Sequence, residues 1–257
     1  MADEVLAPQR FTVGSSTVLV PPPRIIEAKK KATEEELISH TAHRLWPAAH
    51  VLAGVLHEPD PPVDCRGLSV LELGAGMGLT GIAAWRTGAS VCVTDLEENL
   101  PALRRLVECN DGASASMRVE ALDWRGPLPP AIAQLRPDVV LGADVVFWPA
   151  LFDPLLNTLA ALPGRPRVLV CVTDCNGRVR DFEQRAAQRG WVMRELAYRK
   201  ELLPDTDDDG PEPDPQLFEL SRKRSDGWLA IRRLVQSQTK SAKMAEIRVQ
   251  SKEESRV

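Results

Sequence analysis

The chain has 257 residues, 44% of them hydrophobic and 26% charged, with a formal net charge of −4. That length can bury the core of one large α/β domain or two small ones, and the mild negative charge gives no case for nucleic-acid binding. No apolar run is long enough to span a membrane and no charged-then-apolar leader is present, so neither a membrane partner nor a secretory route is expected.

In chain order, residues 1–67 read as an extension. Arg10 to Val20 alternates apolar and polar residues around Gly14-Ser15-Ser16, a hairpin pattern that Pro21-Pro22-Pro23 ends. Glu27 to Glu36 is dense in charge and is expected to be solvated. Leu45 to Leu56 carries apolar residues at helical spacing, with Pro47 suited to the first turn. Pro59, Pro61 and Pro62 stiffen the link to the main domain, 68–235.

From Leu68 strands and helices alternate, the mark of a parallel sheet covered on both faces. Strands are expected at 68–73, 90–94, 117–122, 138–143, 167–173 and 191–199, and helices at 79–87, 99–109, 151–162 and 178–188. Pro204 to Pro215, rich in Asp, Pro and Glu, reads as a mobile acidic loop. Either Leu217–Leu220 or Trp228–Leu234 supplies a seventh strand, and 236–257 reads as a disordered tail. The five cysteines (65, 92, 109, 171, 175) are odd in number and scattered, so a reducing compartment is expected, cytoplasm or nucleus. Cys171 and Cys175 have no following histidine, and no metal site is expected. His40, His43, His50 and His57 read as surface residues.

The chemistry concentrates in three places. Val70 to Gly81 is a buried strand running into a glycine-rich turn, E-x-G-x-G-x-G from Glu72 to Gly78, with a helix behind. Such a turn lets backbone approach a nucleoside-bearing cofactor. The dinucleotide fingerprint G-x-G-x-x-G would need glycine where Leu79 stands. Asp95, 21 positions after Gly74, is either an acceptor for two ribose hydroxyls or a helix N-cap. Asp123-Trp124 follows the third strand, where Trp124 either walls an adenine ring or packs in the core. Gly142-Ala143-Asp144-Val145-Val146-Phe147-Trp148 ends the fourth strand, and Asp144 either orients an incoming ammonium or bonds backbone at the strand end.

The glycine pattern resembles motif I of the class I, seven-β-strand methyltransferases that use S-adenosylmethionine. Further motifs narrow the likeness: Trp46-Pro47, Leu71 to Gly76, Thr94-Asp95, Leu122-Asp123-Trp124 and Gly142 to Phe147 resemble the protein-lysine methyltransferases that modify non-histone proteins. Each motif alone is weak; their order and spacing over Arg10 to Tyr198 are specific. The resemblance implies a doubly wound Rossmann-like sheet, mostly parallel, with the N-terminal hairpin and helix packed on it. It implies that Trp46, Gly74, Ala75, Gly76, Asp95, Trp124 and Ala143 hold S-adenosylmethionine, and that Asp144 and Phe147 line the acceptor-amine pocket. Phe147 stands where many relatives carry tyrosine. The implied activity is N-methylation of a protein side chain, lysine first, by a monomer acting on a protein substrate. Arginine, histidine and small-molecule amines are the other acceptors such a fold serves.

Overall fold

The computed structural model describes residues 7–22, 41–174, 177–204 and 213–223. The charged segment 27–36, the strand-like run 228–234, the tail from 236 and most of the acidic loop lie outside these residues. Residues 1–221 form one compact unit; the second unit, 222–257, is described only at Arg222 and Lys223.

The hairpin pairs β1 (Gln9–Val13) with β2 (Ser16–Val20). Helix α1 (Pro47–Val55) follows, with Pro47 in its first turn, where the missing N–H costs nothing. The sheet is then built from β3 (Ser69–Glu72), β4 (Ser90–Asp95), β5 (Met117–Ala121), β6 (Val139–Ala143), β7 (Arg167–Val172), β8 (Trp191–Leu196) and β9 (Gln216–Arg222). Between them run α2 (Leu79–Arg86), α3 (Leu100–Glu108), α4 (Pro130–Gln134), α5 (Phe152–Ala161) and α6 (Arg178–Gln188). The strand order is β5-β4-β3-β6-β7-β9-β8. Four neighbouring pairs are parallel, and β9 returns antiparallel beside β7. The expected doubly wound, mostly parallel sheet is therefore present, and of the two candidates for its last strand the 217–220 run fills the place.

Consecutive residues on each central strand alternate between two cores, because both faces of the sheet are covered. Val70, Val91, Val93, Val139 and Leu141 pack with α1, α2, α3 and the hairpin. Leu71, Val140, Val168 and Val170 pack on the other face with α4, α5 and α6. Phe152 of α5 and Phe182 of α6 meet edge to face at 5.2 Å, each fully buried. Burying such a side chain stabilises by about 1.5–3 kcal/mol.

Besides apolar packing, one amide ties the hairpin to the sheet's helical layer. Asn110, just past α3, accepts the Leu19 N–H at 3.0 Å and donates to the Leu19 carbonyl at 2.7 Å, imitating a strand partner. Two histidines expected at the surface are half-buried under the hairpin instead. His50 meets Phe11 edge-on, and His57 bonds the Ala83 carbonyl at 2.9 Å. The sequence pattern also passed over α4, which is only five residues long and lies in a proline-rich stretch, and it ran β8 three residues too far, to Arg199.

Candidate active site

The crevice arises where the strand order reverses. Leaving β3, the chain goes first to β4 on one side and later to β6 on the other, so the loops after these strands part. A cavity of about 280 Å³ opens between them. Trp46, Gly74, Ala75, Gly76, Asp95, Trp124, Ala143, Asp144 and Phe147 all line it. The nine residues come from segments as far apart as 46 and 147, and the fold brings them to one place.

The glycine turn is tight for two reasons. Gly74 and Gly76 have φ of +58° and +52°, values that side-chain-bearing residues rarely adopt. A Cβ at Gly74 would also stand 3.2 Å from Cζ2 of Trp124, and one at Gly76 would stand 3.1 Å from the Ala42 carbonyl. The end of β4 holds the turn: the Ala75 N–H donates to the Thr94 carbonyl at 2.9 Å, and the Gly76 N–H donates to Asp95 Oδ2 at 2.8 Å.

Asp95 is only 7% exposed. Its Oδ1 accepts from the Leu96 N–H at 2.8 Å and from the Asn99 amide at 2.7 Å. Burial raises its pKa above the usual carboxylate range, and these donors draw it back down. The carboxylate organises the turn entering α3, as a cap would, and its Oδ2 edge stands beside the glycine turn.

Glu72, the last residue of β3, went unnoticed in the sequence beyond its place in the pattern. It is 2% exposed, it lines the cavity, and its Oε2 has no hydrogen-bond partner. Burial pushes its pKa up to about 8, and the charge of Asp95 adds to that; the nearby Gly81 N–H and Thr80 hydroxyl oppose it.

Also lining the cavity, Asp144 has φ +52°, the left-handed conformation that Asp and Asn tolerate best. Its Oδ1 accepts the Thr173 N–H at 2.6 Å and its Oδ2 the Thr173 hydroxyl at 3.2 Å. The carboxylate therefore clasps the ends of β6 and β7 while lining the cavity. Phe147 is half-buried, and its carbonyl accepts from the Arg178 guanidinium. Asp174 Oδ1 takes the Arg178 N–H at 2.8 Å. Thr173, Asp174 and Arg178 were missed because polar residues around a strand end carry no periodic signal.

Two tryptophans bound the remaining walls. Trp46 precedes α1, its Nε1 donates to the Thr41 carbonyl at 2.9 Å, and Arg44 stacks over its ring at 4.7 Å. Trp124 lies against Gly74. Its neighbour Asp123 is gripped by Arg125, which holds the carboxyl below its usual pKa. Among the described residues no group of His, Cys, Asp and Glu could hold a metal ion. Burial pushes Cys65 up to about 11 and Cys92 up to about 12, which makes them poor nucleophiles.

This strand order, with a glycine turn at its switch point and an Asp at the end of the neighbouring strand, defines a class I, seven-strand methyltransferase fold. The mitomycin 7-O-methyltransferase MmcR shares that fold at a TM-score of 0.52, with 15% identity, over 73% of this chain and 57% of its own. The sequence pattern of the lysine methyltransferase family matches residues 27–188, and the chain belongs to that family. It is similar to EEF1A lysine methyltransferase 3 of Mus musculus, 38% identical over 123 residues, 48% of this chain and 51% of the relative. It is also similar to the histone-arginine methyltransferase METTL23 of Mus musculus, 37% identical over 165 residues, 62% of this chain and 58% of the relative. These matches span about half the length of the curated relatives.

Proposed function

We propose that this chain is an S-adenosylmethionine-dependent methyltransferase whose acceptor is a lysine side chain of a non-histone protein. The observation that carries the reading is the cavity at the switch point, lined together by a glycine turn, a buried acid, two tryptophans, Asp144 and Phe147. Family membership supports it.

The residues fit the cofactor. The cradle at Gly74 would be filled by any Cβ. The Ala75 and Gly76 N–H groups are spent on β4, so the turn does not offer them to a pyrophosphate, which speaks against a dinucleotide. Gly74 to Gly76 would hold the amino-acid portion, Asp95 the ribose, Trp124 the adenine, and Trp46 and Ala143 the faces between. When bound, the cofactor supplies a methyl carbon on a positively charged sulfur.

The protein's own task is alignment in a dry site. A lysine ammonium has a reference pKa near ~10.4 and must shed its proton before it attacks. Desolvation against Phe147, beside a positive charge, favours the neutral amine. Asp144, held in place by the Thr173 N–H and hydroxyl, would accept from the amine and aim it. The proton leaves to solvent. Phe147 supplies an apolar wall without a hydroxyl.

A second reading, an arginine acceptor, is favoured by the resemblance to a relative named for histone arginine. The chain would act in the cytoplasm or nucleus, a setting that suits the four free thiols of the described residues. No described helix is long and apolar enough to cross a membrane. The test is label transfer from radioactive S-adenosylmethionine into a cell extract, followed by acid hydrolysis of the labelled protein. Methyl-lysine is expected; methyl-arginine would establish the second reading, and label confined to small molecules would refute both.

A further inference from the structure

Past β6 the chain runs from Val145 to Trp148 without regular structure, up to a short 3-10 turn at Pro149–Leu151. Val145 and Val146 are buried and fix the middle of this stretch in the core. Phe147 is only half-buried and lines the cavity. Among the described residues, no backbone–backbone hydrogen bond reaches Val145, Val146 or Phe147. The hydrogen bond that does hold this run comes from a side chain across the cavity, the Arg178 guanidinium, which donates to the Phe147 carbonyl.

Arg178 is itself firmly placed. It opens α6, behind Gly177 at φ +68°. Asp174 Oδ1 accepts its N–H at 2.8 Å and the Val179 N–H at 3.5 Å, which fixes the first turn of the helix. Val179 and Phe182, both buried, seat that helix on the sheet. Arg178 is half-buried and lines the cavity, and among the described residues no carboxylate pairs with its guanidinium. A guanidinium bonds most strongly to a carboxylate. Its use on a neutral main-chain carbonyl therefore points to the placement of Phe147 and not to a charge pair. The same stretch past β7 also holds Asp144, through Thr173. Both residues of the acceptor pocket are thus tied to residues 173–178.

We infer that Arg178 is a positioning residue for methyl transfer: by holding the Phe147 carbonyl it sets the aromatic wall against which the acceptor amine is aligned. The inference rests on the acceptor reading and goes beyond it, because it makes the rate depend on a side chain that acts only through Phe147. Alignment in an in-line displacement is sensitive to such placement, and a shift of about 1 Å in a positioning group costs roughly a hundredfold. A guanidinium suits the task because its donors are fixed in a planar fork. A lysine at the same place would offer a shorter arm and a freely rotating ammonium, and would hold the carbonyl less well.

The test is a double-mutant cycle on the whole chain. The rate is the initial transfer of label from radioactive S-adenosylmethionine into the proteins of a fixed amount of cell extract. Arg178→Met, similar in length but without a donor, should slow transfer by roughly ten- to a hundredfold, while titration of S-adenosylhomocysteine stays within about threefold of the wild type. Arg178→Lys should recover roughly tenfold of that loss. In a Phe147→Ala background, adding Arg178→Met should slow transfer by no more than about twofold, because the wall that Arg178 places is already gone. A second readout needs no acceptor. The chain has five phenylalanines, and in protein labelled with 4-fluorophenylalanine the Phe147 resonance is identified by its absence from Phe147→Tyr. It should shift or broaden in Arg178→Met and return towards its native position in Arg178→Lys, while the other four stay in place. If Arg178→Met fails to fold, Arg178→Lys against the wild type carries the comparison, with slower transfer and a displaced Phe147 resonance expected together. A native Phe147 resonance in the variant, or losses that multiply in the Phe147→Ala background, would overturn the inference. A wild type that binds S-adenosylhomocysteine but labels no protein would refute the acceptor reading itself and take the inference with it.

Discussion

Asp95→Ala tests the structure at the point where scaffold and site share one side chain. The substitution removes the acceptor for three donors: the Gly76 N–H, the Leu96 N–H and the Asn99 amide. The Gly76 N–H lies in a turn that lines the cavity and can regain water. Asn99 is 2% exposed, so loss of its Asp95 acceptor costs about 1–3 kcal/mol. Against that, removing a carboxylate whose pKa burial has raised relieves a desolvation cost. The net loss is therefore put at about 1–2 kcal/mol, or roughly 2–8 °C in Tm for a domain of this size. Cofactor affinity should fall further, by roughly ten- to a hundredfold, since hydrogen bonds from ribose to a charged acceptor are worth about 1.5–3 kcal/mol. The assay pairs differential scanning calorimetry with titration of S-adenosylhomocysteine. Asn99→Ala is the control: it should lower Tm comparably and leave affinity within about threefold. Native Tm and native affinity in Asp95→Ala would refute both roles. Equal affinity loss in the two variants would show that the turn collapses and that Asp95 makes no ribose contact.

The remaining predictions concern separate residues. Asp144→Asn keeps a residue that tolerates φ +52° and still accepts the Thr173 N–H, so cofactor affinity should hold while methylation of the protein acceptor drops by roughly a hundredfold through lost alignment; a wild-type rate would move the acceptor pocket elsewhere. Glu72 carries a pKa raised from 4.5 to about 8 in the folded state, so its contribution to stability is intact below 4.5 and lost as pH rises to 8. Glu72→Gln should therefore match the wild type near pH 4.5 and exceed it near pH 8 by roughly 3–5 kcal/mol, read from urea unfolding of the unliganded protein; parallel stability curves would deny the buried protonated acid. Asn110→Ala should cost about 1–3 kcal/mol by stranding the Leu19 N–H and carbonyl, with faster hydrogen exchange in β2 and unchanged protection in α6; uniform loss across the unit would mean that the hairpin is not held locally.

What the amino-acid order determined by itself is periodic or local. Both-face burial makes a parallel strand apolar throughout, so β3, β4, β6 and β7 were visible as runs, and the glycines of the turn were visible because positive φ excludes other residues. Asp95, Trp124 and Asp144 could be singled out because each directly follows or ends such a strand. Only the tertiary structure decided what those side chains touch. Whether Asp95 caps a helix or faces a ligand depends on Gly76 and Asn99 lying on opposite sides of it. That Asp144 clasps Thr173 depends on β7 lying beside β6. The order of β9 and β8 was hidden for a similar reason: a returning strand records its own burial and not its neighbour. The pattern misjudged His50 and His57 because polarity in sequence does not reveal that a hairpin will close over α1. Glu72 shows the limit most plainly. A glutamate before a glycine turn is unremarkable as a letter, and it becomes a buried acid with a raised pKa only when packing removes water from it.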